Sequence, residues 1–176
     1  MKIPIKPSNF TKRRYPYKFI IIHDITCRFG HLSKYLIDNK HPSISKLRAD
    51  NYILYGENDL NFHFFIEQIN EDFETFVCRP TTVICEYEDI PSPYDQAIHI
   101  GMMGSYEFEL PDMHFYRQMA YRAIVPVMSR YRISKNRIML HREVATSDRG
   151  KKCPGDLFVK DKFYSELKAM LAIKQI

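Results

Sequence analysis

The amino-acid sequence predicts an α/β chain with a central mixed β-sheet flanked by helices. Three observations carry that expectation. Short runs rich in β-branched and aromatic residues recur between Tyr17 and Met103. Two later segments, starting near Pro111 and Asp161, place apolar residues at helical spacing. Strands and helices interleave without the regularity of repeated βαβ units, which points to a mixed rather than an all-parallel sheet. At 176 residues, 45% hydrophobic and 14% aromatic, the chain is one domain long and can bury a core, so intrinsic disorder is excluded. Residues 1–176 are therefore expected to form a single domain, with a basic segment at 1–16, a core over 17–158 and a C-terminal helix at 161–174.

Tyr17 to His23 is apolar except for Lys18 and His23 and reads as a buried strand. Gly30 to Asn39 carries Leu32, Tyr35 and Leu36 at helical spacing and predicts a short helix. Asn61 to Gln68 is a second strand, followed by a turn at Asn70, Glu71 and Asp72, and by short strands at Phe73 to Val77 and Thr82 to Cys85. Ala97 to Met103 is a further strand, ending at Gly104.

The next helix starts at Pro111 and Asp112, a proline and an acid being favourable at a first turn. Phe115, Met119, Ala120, Ala123, Ile124, Val127, Met128 and Tyr131 share one face, and Pro126 inside the pattern predicts a kink or an irregular turn before Ile133. Arg137 to His141 reads as a short strand. Asp161 to Lys174 closes the chain as a helix with Phe163, Leu167, Met170 and Leu171 inward.

Composition excludes several classes. The excess of 26 basic over 21 acidic side chains, formally +5, is spread along the chain and falls short of the basic face of a dedicated nucleic-acid binder. Four cysteines with no C-x-x-C pair do not make a disulfide scaffold, and Cys27, Cys78 and Cys85 read as packing residues. The run Phe19 to Ile22 is far shorter than the ~20 residues of a membrane span. The basic opening is broken by Pro4, Pro7 and Pro16 and is followed by no signal-peptide apolar region, so cytoplasmic synthesis is expected. Lys12, Arg13 and Arg14 read as a solvated terminus.

Seven histidines, at 23, 31, 41, 63, 99, 114 and 141, are the main chemical resource. His23 and His141 each close an apolar strand, where a cleft can open. His63 and His99 lie inside strands, where packing is the expectation. The loop after His141 holds Lys151, Lys152 and the run Cys153-Pro154-Gly155. Zn²⁺ favours imidazole and thiolate at tetrahedral corners, and a catalytic site keeps three protein ligands. Two strand-end histidines and a loop cysteine supply that set, with nearby cations favouring the thiolate. Spacing alone also leaves open a buried free thiol and two unrelated histidines.

The ordered set Phe19-Ile20-Ile21-Ile22-His23, Phe62-His63-Phe64-Phe65-Ile66, Ala97-Ile98-His99-Ile100-Gly101, His141-Arg142-Glu143-Val144 and Lys151-Lys152-Cys153-Pro154-Gly155 resembles the type 2 N-acetylmuramoyl-L-alanine amidases, the superfamily that includes bacteriophage lysozyme-type amidases and peptidoglycan recognition proteins. The resemblance runs from Tyr17 to Phe158. It implies that fold, a Zn²⁺ held by His23, His141 and Cys153, and hydrolysis of the amide between N-acetylmuramic acid and L-alanine in peptidoglycan or muropeptides. It further implies that Lys151 faces the developing oxyanion. A monomer acting on peptidoglycan or muropeptides, without nucleic acid or membrane insertion, is expected; work on a cell wall then requires lysis or specialised secretion.

The chain departs from the family pattern in four places. Phe62 stands where many active members carry a tyrosine, and Gly101 and Met103 stand where other branches carry a glutamate. Leu140 replaces the usual glycine before the second histidine, and the loop to Cys153 is lengthened around Ser147 to Gly150. Glu57 and Glu67 are acids that could carry a proton, although a solvated position is expected for both. These departures favour, as the alternative, a peptidoglycan-binding module of the same fold with weak or lost catalysis. A basic nucleic-acid-binding protein is a third, weaker alternative.

Overall fold

The computed structural model describes residues 11–25, 43–55, 60–69 and 72–174. The helix expected at Gly30 to Asn39, the turn residues Asn70 and Glu71, and Cys27, His31, His41 and Glu57 lie outside the described residues.

Five strands form one sheet: β1 (Phe19–Asp24), β2 (Phe64–Ile69), β3 (Asp72–Val77), β4 (Ala97–Met102) and β5 (Ile138–Leu140), in the order β3-β2-β4-β1-β5. β4 is parallel to both β1 and β2, β5 is parallel to β1, and β3 joins β2 as an antiparallel edge strand. The expected mixed sheet is thus present. β1 and β4 are buried along their whole length, as strands covered on both faces must be.

The two faces of the sheet are covered differently. Ile20, Ile22, Ile98, Ile100 and Leu140 meet Tyr116, Ala120, Ile124, Phe163 and Leu167 in the main core. The covering elements are α2 (Met113–Met119), a π-helical turn (Ala120–Ile124), α3 (Val125–Tyr131) and α5 (Lys160–Lys174). Asp112 caps α2 by accepting from the Phe115 N–H at 2.6 Å. The irregularity expected from Pro126 is this π-helical turn, in which the Val125 N–H reaches back to the Ala120 carbonyl. Proline donates no bond to the carbonyl four residues earlier. That carbonyl, on Arg122, instead accepts from Thr75 Oγ1 at 3.5 Å.

The other face carries Phe19, Ile21 and Ala97 against Ile90 and Val144, and beside them a cluster of Phe62, Phe65 and Leu60 under α1 (Ile44–Tyr55). The sequence reading placed no helix at α1. Its start is held by Ser43, whose Oγ accepts from the Lys46 N–H, and by Glu67, whose Oε2 accepts from the Ile44 N–H at 3.1 Å. Glu67 is buried, so its expected solvated position is corrected: it caps a helix.

Thr82 to Cys85 is not a strand. Only Val83 makes an isolated bridge, to Lys12, because among the described residues the segment beside it that pairs through its backbone is the short stretch 11–13. This pairing anchors the backbone of Lys12 and Arg13, while the Lys12 and Arg14 side chains stay exposed as expected and the Arg13 guanidinium lies 4.7 Å from the centre of the Tyr17 ring. Arg137 to His141 shortens to β5, because His141 begins a one-turn helix, α4 (His141–Val144).

Candidate metal centre

His23 and His141 both follow the C-terminal ends of apolar runs on adjacent parallel strands. Ile22 pairs with Leu140, so the residue after each, His23 and His141, reaches the same end of the sheet. Cys153 arrives from the loop that follows α4. All three side chains are buried, and their potential ligand atoms lie within 4.8 Å of one another. The structure therefore brings together the three residues singled out in the sequence, and among the described residues this is the group able to hold a metal ion.

The donor chemistry fits Zn²⁺. Burial, followed by the neighbouring His141 and His99 rings, holds His23 well below the usual imidazole pKa, so it is neutral with a lone pair to give. His23 Nδ1 lies 3.9 Å from Cys153 Sγ. Zinc–nitrogen and zinc–sulfur bonds of about 2.0 and 2.3 Å at a tetrahedral angle place two such donors about 3.5 Å apart, so a few tenths of an ångström of closure suffices.

Each imidazole has a polar neighbour at its Nε2. His141 Nε2 faces Asp89 Oδ1 at 3.3 Å, and His23 Nε2 faces His99 Nδ1 at 2.9 Å. Asp89 is a central tie: its Oδ2 accepts from Ser147 Oγ and its backbone carbonyl from the Thr146 N–H. The lengthened stretch around Ser147 to Gly150 is thereby fastened to His141. Gly150 is required in this stretch, because a Cβ there would lie 2.2 Å from Asp89 Oδ2.

Arg142 holds the cysteine loop. Its Nη1 donates to the carbonyls of Pro154 (2.6 Å) and Gly155 (2.8 Å), its Nη2 to that of Phe158 (2.9 Å), and its backbone N–H to that of Cys153 (2.6 Å). Glu143 accepts from the Leu140 N–H and from Lys160 Nζ, and Val144 packs inward. The four-residue run after β5 thus supplies in order a candidate ligand, a loop clamp, a cap and a core residue. Gly155 is needed where it stands, since a Cβ would meet the Glu107 nitrogen at 1.9 Å.

His63 and His99 are buried, in line with the packing expectation, and both also belong to a hydrogen-bonded network behind the centre. His63 Nδ1 accepts from the His99 N–H at 3.0 Å and lies 3.4 Å from Cys85 Sγ, while its Nε2 is 2.6 Å from the Tyr17 hydroxyl. Burial pushes the His63 pKa down to about 4, against a backbone hydrogen bond to Val83 that favours the charged form. Cys78 packs in the apolar cluster under α1, as expected.

Tyr87, which the sequence reading did not single out, stacks on His23 at 4.7 Å and on His99 at 4.6 Å, with its hydroxyl donating to the Asn61 carbonyl. No spacing rule marks it, since it lies in an irregular segment. Phe62 is fully buried 5.6 Å from His23, with its ring over Gly101. Lys151 sits exposed on the turn Gly150–Lys152, with Nζ 3.6 Å from Asp148 Oδ1.

No protein-family model and no curated protein sequence matches the chain. Solved structures do. N-acetylmuramoyl-L-alanine amidase LysC from Clostridium intestinale superposes with a TM-score of 0.60 at 16% identity, over 88% of this chain and 87% of that one. The Ph2119 endolysin from a Thermus scotoductus bacteriophage gives 0.62 at 11% identity, over 92% of each chain. A tyrosine-to-phenylalanine mutant of Drosophila PGRP-LB in complex with tracheal cytotoxin gives 0.60 at 20% identity, over 88% and 85%. The fold is that of the type 2 amidases and peptidoglycan recognition proteins. Among the described residues no helix is long and apolar enough to cross a membrane.

Proposed function

We propose that the chain is a zinc-dependent N-acetylmuramoyl-L-alanine amidase, hydrolysing the amide between N-acetylmuramic acid and L-alanine in peptidoglycan or muropeptides. The observation that carries this reading is the convergence of His23, His141 and Cys153 at the ends of parallel strands in an amidase-type fold. Two imidazoles and a thiolate leave one tetrahedral position for reactants. A Zn²⁺ held there supplies a Lewis acid for the carbonyl and brings the pKa of water near 7.

The surrounding residues are then assigned as follows. Asp89 and His99 hold the two rings, and Arg142 holds the cysteine loop. Lys151 is assigned the oxyanion: its ion pair with Asp148 is solvent-exposed and so costs little to break when an anion forms nearby.

A second reading, a peptidoglycan-binding module with little turnover, is favoured by Phe62, which offers no hydroxyl beside His23. One experiment separates the two. The zinc-loaded protein and its Cys153→Ala variant are incubated with muropeptides, and released L-alanine-terminated peptides and bound zinc are measured. The amidase reading expects turnover and near-stoichiometric zinc in the wild type, with loss of both in the variant. Zinc and muropeptide binding without turnover defeats it in favour of the binding module, for which Phe62→Tyr should raise activity from zero.

A further inference from the structure

We propose that His99 is a positioning residue for the metal centre: it accepts the Nε2–H of His23 and so fixes that ring with Nδ1 turned toward Cys153. The inference rests on the metal-centre reading and adds a role that the three ligands do not contain.

The sheet register makes the pairing. His23 stands opposite Gly101 on the parallel neighbour β4, so His99 is its diagonal neighbour on the same face. The two side chains reach each other at 2.9 Å, and both are essentially inaccessible to water. A neutral imidazole carries one proton. If Nδ1, the nitrogen 3.9 Å from Cys153 Sγ, gives its lone pair to a metal, the proton belongs on Nε2 and needs an acceptor. His99 Nδ1 is that acceptor, which places the proton of His99 on its own Nε2. His99 lines a cavity of about 190 Å³ that is shared with Glu86, Glu88 and Asp95.

His99 is itself built in rigidly. Its backbone N–H donates to His63 Nδ1 at 3.0 Å, and its carbonyl accepts from the His63 N–H at 2.9 Å. The Tyr87 ring lies nearly parallel to both imidazoles, 17° from His23 and 19° from His99, and holds them under one aromatic plate. A residue serving only to fill space would need none of these constraints, and an apolar side chain would fill it without the cost of burying a polar ring. His141 has a comparable neighbour of different chemistry, since Asp89 faces its Nε2.

The test uses the full chain and Zn²⁺ itself. Zinc affinity is measured by chelator competition for the wild type, Cys153→Ala, His99→Phe and His99→Gln, with circular dichroism as the check on folding. His99→Phe keeps an aromatic ring but cannot accept, and should weaken zinc binding roughly 10–100-fold. His99→Gln retains an acceptor oxygen and should bind more tightly than His99→Phe. Wild-type affinity in folded His99→Phe, or equal losses in the two variants, overturns the proposal.

If His99→Phe does not fold, nitrogen-15 NMR of the zinc-loaded wild type decides. His23 protonated at Nε2 and His99 bare at Nδ1 support the role, and a proton on His99 Nδ1 overturns it. Failure of the wild type to bind zinc removes the metal-centre reading and this proposal together. Zinc binding that depends on Cys153 but ignores His99 removes this proposal alone.

Discussion

The two sides of the candidate metal centre are built by different means. On the strand side, His23 and His99 are placed by the ladder between β1 and β4, in which six residue pairs share the work of holding register. On the loop side, Cys153 follows a single 3-10 turn (Gly150–Lys152) rather than a ladder, and one side chain, Arg142, satisfies three carbonyls at once. A ladder spreads the cost of any single change over many bonds. A clamp concentrates it in one residue, so the loop side should be the more fragile to mutation although both sides hold candidate ligands.

Arg142→Ala is the most direct way to break that comparison. It removes three charge-assisted hydrogen bonds and leaves the Pro154, Gly155 and Phe158 carbonyls to find other partners in a largely buried setting. Bonds of this kind contribute about 1.5–3 kcal/mol each and are not additive, so a loss of roughly 3–5 kcal/mol is expected in urea unfolding. Zinc affinity should fall with it, because the freed loop carries Cys153. Arg142→Lys should recover little, since an ammonium cannot reproduce the fork that spans these carbonyls. Unchanged zinc affinity in a folded Arg142→Ala protein would show that the loop holds itself.

The strand side has a pH dependence of its own. The His63 pKa falls from 6.5 to about 4 on folding, chiefly through burial. Between these values the unfolded chain binds a proton that the folded chain refuses, so stability falls as pH drops from 6.5 toward 4, and the contribution levels off below 4. The size is about 3 kcal/mol at about 1.4 kcal/mol per unit. Urea unfolding of the metal-free protein at pH 6.5 and pH 4 measures it against His63→Gln, which lacks the titrating group. The wild type should lose about 3 kcal/mol more than the variant. Equal losses would mean that the His63 ring reaches water.

How much was legible in the sequence follows the same division. Strand-end histidines after Ile20-Ile21-Ile22 and Met139-Leu140 announce themselves, because a polar residue closing an apolar run must emerge at a sheet edge. The run Cys153-Pro154-Gly155 stood out by composition. His99 did not, because its contact with His23 exists only once β1 and β4 are paired in one register, and register between distant parallel strands is not written in local spacing. Tyr87 and Asp89 act from an irregular segment with no period to read. The helix Ile44–Tyr55 is not marked by the sequence, since Ile44 and Leu47 begin it with no extended apolar stripe, and part of its start is capped by Glu67, 23 residues on. The Thr82 to Cys85 strand was expected from β-branched content, which cannot supply the missing neighbour.

Gly101→Ala sharpens the comparison from the strand side at the smallest cost. A Cβ at this position would lie 2.7–2.8 Å from three atoms of the Phe62 ring, which is fully buried and packs on Phe65. The ring must shift, and overpacking of this kind costs about 1–3 kcal/mol. Because the ladder, not the ring, sets the position of His23, the stability loss should leave zinc affinity close to that of the wild type, unlike Arg142→Ala, which lowers both. Phe62→Leu shortens the offending side chain, so combining it with Gly101→Ala should cost less than the two single changes added. A strictly additive pair would mean that the added methyl meets something other than Phe62, and a loss of zinc larger than the loss of stability would mean that the ring, rather than the register, holds His23 in place.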